Sequence, residues 1–156
     1  MNNSQIYLEK LTLNDVNDYL TISNNQEVKR FYSYAYACDI NQAYEILTNI
    51  TNENDYLSYK IINHENICVG IFICEKNRAQ LGVSYIIKKE YRHQGYATKG
   101  LTKLILDIKK FNFYKEILFI ADSENTYSNK LLSSFDCKIE AVVWEDKSHY
   151  LYSKIL

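Results

Sequence analysis

Seven consecutive residues, Arg92-His93-Gln94-Gly95-Tyr96-Ala97-Thr98, carry the clearest chemistry in this chain. They stand between an apolar run, Leu81 to Ile87, and a run with helical spacing, Thr98 to Phe111. The first run reads as a strand and the second as a helix. A glycine-containing loop in that setting gathers backbone N–H groups at the positive end of a helix dipole, which suits an anion and most often a phosphate. Two common phosphate loops are excluded by spacing. Gly95 and Gly100 are spaced as in G-x-x-x-x-G-K-[ST], but Leu101 and Thr102 follow, with no Lys for the outer phosphates. The dinucleotide pattern G-x-G-x-x-G needs glycine where Ala97 stands. Other reactive side chains are scattered. Cys38, Cys68, Cys74 and Cys137 make no C-x-x-C pair, so free thiols in a reducing cytoplasm are expected, with no zinc site or other metal site.

The elements that would hold the loop can be placed in order. Ile6 to Leu11 reads as a strand. Thr12 to Asp15 is a capping-box pattern before a helix with Val16, Tyr19 and Leu20 on one face. Asn25 to Phe31 fits a short helix, and Ser33 to Cys38 a tyrosine-rich loop. Asp39 caps a helix whose stripe is Ile40, Ala43, Tyr44, Leu47 and Ile50. Tyr56 to Ile62 and Ile67 to Cys74 predict a hairpin, followed by the strand Leu81 to Ile87. After the loop's helix come a strand, Glu116 to Ala121, and a helix, Asn125 to Phe135. Cys137 to Trp144 and His149 to Ile155 form a last antiparallel pair around Glu145-Asp146-Lys147-Ser148. One helix crossover implies one parallel pair of strands, and the other connections imply hairpins. The expected fold class is α/β (α+β): a mixed, mostly antiparallel sheet of about seven strands, flanked on both faces by about four helices.

The pattern from Arg92 to Ala97, R/Q-x-x-G-x-G/A, resembles the pyrophosphate loop of the GNAT acyl-CoA N-acyltransferases. Leu81 to Ile87, Glu90-Tyr91, Gly95 to Thr98 and Glu124-Asn125-Thr126-Tyr127-Ser128 are similar to the branch that contains the ribosomal-protein N-terminal acetyltransferases. The likeness is strongest from residue 81 to 140, and upstream it rests on element order alone. Arg92-His93 stands where the branch has Trp-Gly, and Asp136-Cys137 where it has Gly-Phe, so the end of the last helix is expected to differ.

The resemblance implies a splay between the fourth and fifth strands, with the pantetheine arm of acetyl-CoA bonded to the strand edge at Ile86 and Ile87. It implies that Arg92, His93, Gln94, Gly95, Tyr96, Ala97 and Thr98 bind the pyrophosphate, and that Asn125 bonds the pantetheine amide. Many relatives carry a tyrosine as acid seven positions after that asparagine; here the position is Leu132. Ser128 is then the candidate proton donor, or else an ordinary residue of a first helical turn. Glu75 is the candidate base acting through water, or else a solvated strand-end charge. Tyr32, Tyr34 and Tyr36 either line the acceptor pocket or cover the core.

Composition bounds the function. The chain has 156 residues, 47% of them hydrophobic, and a formal net charge of −1. That fits one domain over residues 1–156 and predicts neither a nucleic-acid nor a membrane partner. Met1 to Gln5 has neither a basic start nor an apolar stretch, so no secretory leader is expected and a cytoplasmic protein is. The function expected is an N-acetyltransferase acting on a primary amine, either a protein N-terminus or a small molecule. A CoA-binding sensor without turnover is the alternative. Monomer and homodimer stay open.

Overall fold

The computed structural model describes residues 5–156; Met1 to Ser4, part of the expected leaderless N-terminus, lie outside them. The chain runs β1 (Tyr7–Lys10), α1 (Val16–Ser23), α2 (Gln26–Phe31), α3 (Ile40–Ile50), β2 (Tyr59–Ile62), β3 (Cys68–Asn77), β4 (Gln80–Ile87), α4 (Tyr96–Lys110), β5 (Glu116–Asp122), α5 (Thr126–Ser133), β6 (Lys138–Trp144) and β7 (Lys147–Ile155). Seven strands form one sheet in the order β1-β2-β3-β4-β5-β7-β6. The expected mixed, mostly antiparallel sheet is therefore present, with five α-helices rather than four.

Each sheet face carries its own core. Leu101, Leu104 and Ile108 of α4 and Leu132 of α5 pack with Phe72, Leu81, Ile117 and Tyr152. Tyr19 and Ile22 of α1 and Ala43, Leu47 and Ile50 of α3 pack with Ile71, Ile73 and Ile86. Burying large side chains of this kind stabilises by roughly 1.5–3 kcal/mol each. Helix α4 lies close to the sheet because Gly100 has no side chain. A Cβ there would sit 3.0 Å from Phe72 Cζ and 3.2 Å from Ile61 Cδ1.

The one parallel pairing positions the site. β4 and β5 are in register only at Gln80, Leu81 and Gly82, opposite Glu116, Ile117 and Leu118. Beyond Gly82 β4 continues to Ile87 paired with β3 alone, while β5 continues paired with β7. The two strands therefore part at the end of the sheet where α4 begins.

Two expectations about hairpins need correction. The last hairpin turns on two residues, Glu145 and Asp146, with φ of 47° and 60°, so Lys147 and Ser148 already belong to β7. Two successive positive φ values match the twist of paired strands, which four loop residues do not require. The first hairpin strand begins at Tyr59, because Tyr56 makes only an isolated bridge to Glu75. After α5, Asp136 takes φ 55°, the left-handed conformation that a glycine adopts easily. The chain leaves this helix through a left-handed residue that is not glycine.

Candidate active site

The loop before α4 is shaped by its backbone. Gly95 is the N-cap of α4 with φ 83°. A Cβ at Gly95 would meet nothing nearer than Lys99 Cε at 3.9 Å, so the left-handed φ, not crowding, asks for glycine. The first N–H groups of α4 have no partner inside the helix and point out of its N-terminus. They face a groove of about 460 Å³ whose lining includes Ile87, Arg92, Gly95, Ala97, Asn125 and Ser128.

The seven loop residues do not play equal parts. Tyr96, Ala97 and Thr98 all line the groove, and Tyr96 is otherwise buried in an edge contact with Tyr91. His93, at φ 59°, lies against Tyr127 with ring centroids 4.6 Å apart at the groove's margin. The Gln94 side chain turns away, donating from Nε2 to the Glu90 carbonyl at 3.0 Å, and Gln94 does not line the groove. Arg92 reaches back. Its Nε donates to the Ile87 carbonyl at 3.0 Å, and its guanidinium pairs with Glu27 of α2. That side chain ties the loop to α2 and to the end of β4.

The strand edge is narrower than expected. Lys88 N–H bonds the Val69 carbonyl at 2.8 Å, on the β3 side. Backbone groups alternate sides along a strand, so Ile86, opposite Ile71, also turns to β3. Tyr85 and Ile87 turn theirs to the gap. With the Ile87 carbonyl engaged by Arg92, the N–H groups of Tyr85 and Ile87 are the donors turned to that gap. Ile86 borders the groove, but its backbone is turned to β3 and its side chain packs with the α1 and α3 core.

The opposite wall is made of hydroxyls. Asn125 caps α5: its Oδ1 accepts from Ser128 N–H at 3.3 Å, and its Nδ2 donates to Tyr32 Oη at 3.3 Å. Ser128 Oγ lies 3.0 Å from Tyr85 Oη. Asn125 and Ser128 are buried, and Tyr32 and Tyr85 half-buried. Burial pushes both phenols above the ordinary tyrosine value, against the lowering effect of the Ser128 hydroxyl near both and of the Asn125 bond to Tyr32. Both are therefore protonated at neutral pH. Leu132, on the following turn of α5, is buried in the core and does not line the groove.

Glu75 does not join this group. It is exposed on β3 opposite Gly82, and strand alternation puts it with Ile71 and Ile73 on the α3 face. Its charge is felt by Tyr34 and Tyr56. Tyr34 Oη donates to Ser84 Oγ at 2.5 Å, and burial of the hydroxyl end pushes this phenol up to about 12. The tyrosine-rich segment is thus divided between the two faces: Tyr32 enters the groove, and Tyr34 sits on the far side of β4.

Sequence reading missed Tyr85 and Glu27. Period two along Leu81 to Ile87 puts Tyr85 on the same face as Ile87, which is the signal for the first. No local pattern pairs Glu27 with Arg92. Among the described residues there is no group of three or more His, Cys, Asp or Glu able to hold a metal, and no helix long and apolar enough to cross a membrane.

Comparison with known proteins agrees with this architecture. The model of the acetyltransferase (GNAT) domain matches residues 5–138. No curated protein sequence matches the chain. Among solved structures, a GNAT-family acetyltransferase from Bacillus anthracis superposes with a TM-score of 0.81 at 15% identity, covering 97% of this chain and 95% of that one. An acetyltransferase from Salmonella typhimurium that modifies the N-terminal serine of a ribosomal subunit protein gives 0.85 at 12% identity, covering 97% and 95%. Spermidine N-acetyltransferase from Vibrio cholerae, solved with CoA and spermine, gives 0.82 at 17% identity, covering 98% and 96%. At such identities the superpositions speak for the fold, and the domain match, spanning most of the chain, shows that it belongs to the GNAT acetyltransferase family.

Proposed function

We propose that this chain moves the acetyl group of acetyl-CoA to a primary amine, by direct attack while both substrates are bound. The observation that carries this is the parting of β4 from β5 above the N-terminus of α4, with the hydroxyl wall across the gap. The groove fits the co-substrate: Gly95 and the first turn of α4 suit the pyrophosphate, the Ile87 N–H suits a pantetheine amide or the thioester oxygen, and Asn125 closes the other side.

A thioester is already activated, so the protein's task is to hold it against the amine, stabilise the developing oxyanion and manage two protons. An acyl-cysteine is not needed, and none of the four cysteines lines the groove. The cluster of Ser128, Tyr32 and Tyr85 supplies the proton that the departing thiolate takes. The one carboxylate in the lining, Glu27, is paired with Arg92. Among the described residues no dedicated carboxylate base therefore faces the amine, which reacts from its neutral fraction and gives its extra proton to water. Glu75, near Tyr34 on the α3 face, belongs to the approach of a cationic acceptor rather than to the reacting atoms.

The acceptor is a protein N-terminus or a small amine. The test is a thiol-release assay with acetyl-CoA over peptides with free N-termini, spermidine and an aminoglycoside. Release that depends on one amine supports the reading. CoA binding without release for any of them points to a sensor, and absence of CoA binding removes the reading altogether.

A further inference from the structure

We infer that Tyr32, at the end of α2, is the residue that protonates the departing CoA thiolate, with Asn125 holding its phenol in place. The inference rests on the acetyl-transfer reading above and names the acid within it. It starts from a role left open: the position seven residues after Asn125 is Leu132, which is sealed in the core. Helix α5 offers no acid there. What it offers is Asn125, whose side chain reaches across to a residue 93 positions earlier in the chain.

Three hydroxyls compete. Ser128 is an aliphatic alcohol, a far weaker acid than a phenol near 10. Tyr85 shares a 3.0 Å bond with Ser128 in which either hydroxyl can donate, so the direction of its proton is not fixed. Tyr32 differs in the direction of its bond. Its oxygen accepts from Asn125 Nδ2, so its own proton is left to point elsewhere, toward Ser128 or into the groove it lines. The same donor then stabilises the phenolate once the proton has gone. Of the charged groups nearby, Glu27 keeps the phenol protonated while Arg92 favours its anion, and these two neutralise each other in an ion pair. Burial opposes a phenolate and a thiolate in the same groove alike, so it does not bar transfer between them.

The step balances. The amine nitrogen bonds to the thioester carbonyl carbon, and the C–S bond breaks with its electron pair on sulfur. The Tyr32 proton passes to that sulfur to give the CoA thiol. The ammonium proton leaves to water, and Tyr32 regains one from water. Tyr85 and Ser128 stay hydrogen-bonded behind it and act as positioning residues.

The test needs no knowledge of the acceptor. Calorimetry compares CoA with desulfo-CoA on the wild type, Tyr32→Phe and Tyr85→Phe. The wild type should prefer CoA by roughly twofold to tenfold, the worth of one hydrogen bond. Tyr32→Phe, which removes one oxygen, should erase the preference, and Tyr85→Phe should keep most of it. With an amine that turns over, Tyr32→Phe should also lower kcat about tenfold to a hundredfold at little change in the KM for acetyl-CoA. A preference that survives in Tyr32→Phe, or that disappears in Tyr85→Phe instead, overturns the assignment. Equal binding of both compounds by the wild type overturns it too, while leaving acetyl transfer intact. If the wild type binds neither compound, the functional reading itself has failed.

Discussion

The two walls of the groove are built in opposite ways. The loop wall comes from seven consecutive residues and works through backbone N–H groups at one helix start. The hydroxyl wall comes from α2, β4 and α5, and works through the side chains of Tyr32, Tyr85, Asn125 and Ser128. The first wall can be damaged at one position by geometry alone. The second is a shared network, in which single deletions should be smaller and non-additive.

The largest effect should follow from Gly95→Glu. The left-handed φ of 83° costs a residue with a Cβ about 1–2 kcal/mol, and the carboxylate would stand in the proposed pyrophosphate site. CoA affinity should fall by more than about a hundredfold, because backbone strain and charge repulsion act together. Gly95→Ala carries the strain without the charge and should lose only about tenfold. Calorimetry on both variants separates the terms, and tight CoA binding by Gly95→Glu would remove the loop wall from the site.

Arg92 joins the walls, since its guanidinium holds α2, whose C-cap is Tyr32, against the loop. Arg92→Ala should raise the KM for acetyl-CoA by about tenfold, the lower range for hydrogen bonds to a charged group. It should also lower kcat, because Tyr32 loses its anchor. Glu27→Gln, which keeps a hydrogen bond without charge, should show the same pattern at about threefold. A rise in KM with kcat untouched would mean that Arg92 serves the loop wall alone.

The pH profile is a milder perturbation of the hydroxyl wall. Burial raises Tyr32 and Tyr85 above the ordinary phenol value of about 10, so their protonated, competent forms persist as pH rises and are lost only above that value. The free fraction of an alkylamine grows over the same range. With an amine near pKa 10.4, kcat/KM should climb roughly tenfold per unit from pH 7 to 9 with no descending limb below about 10. A fall setting in near pH 8 would place the essential acid on another group.

The loop wall was legible in the sequence because its residues are contiguous and its chemistry is that of a strand, a glycine and a helix start. Element order and the β4–α4–β5 crossover were legible for the same reason, as periodicity reports local structure. Three features were not. The direction of the Arg92 side chain depends on Glu27, 65 positions away, and no spacing predicts it. Which of Tyr32, Tyr34 and Tyr36 enters the groove depends on how the segment after α2 crosses β4. The side of the strand taken by the Ile86 backbone depends on the register of β3, set by Gly70 opposite Ile87.

The smallest expected effect lies outside both walls and sharpens what glycine does in the first. Asp136 takes φ 55° after α5, where the resembled branch has glycine. It is exposed, and its side chain makes no hydrogen bond or ion pair among the described residues. Asp136→Gly should relieve left-handed strain of about 1–2 kcal/mol, reduced for aspartate and partly offset by the greater freedom of glycine in the unfolded chain. A net gain of about 0.5 kcal/mol should raise Tm by roughly 1–2 °C for a chain of this size. Acetyl-CoA kinetics should not change, since Asp136 lies outside the groove lining. Differential scanning calorimetry with steady-state kinetics on the same variant checks both halves. A gain in stability without a change in kinetics would show that at Asp136 a left-handed residue serves the fold alone, whereas at Gly95 the same backbone conformation opens a surface for the ligand. A lowered Tm would mean that the Asp136 carboxylate holds the end of α5 by an interaction stronger than the strain it carries.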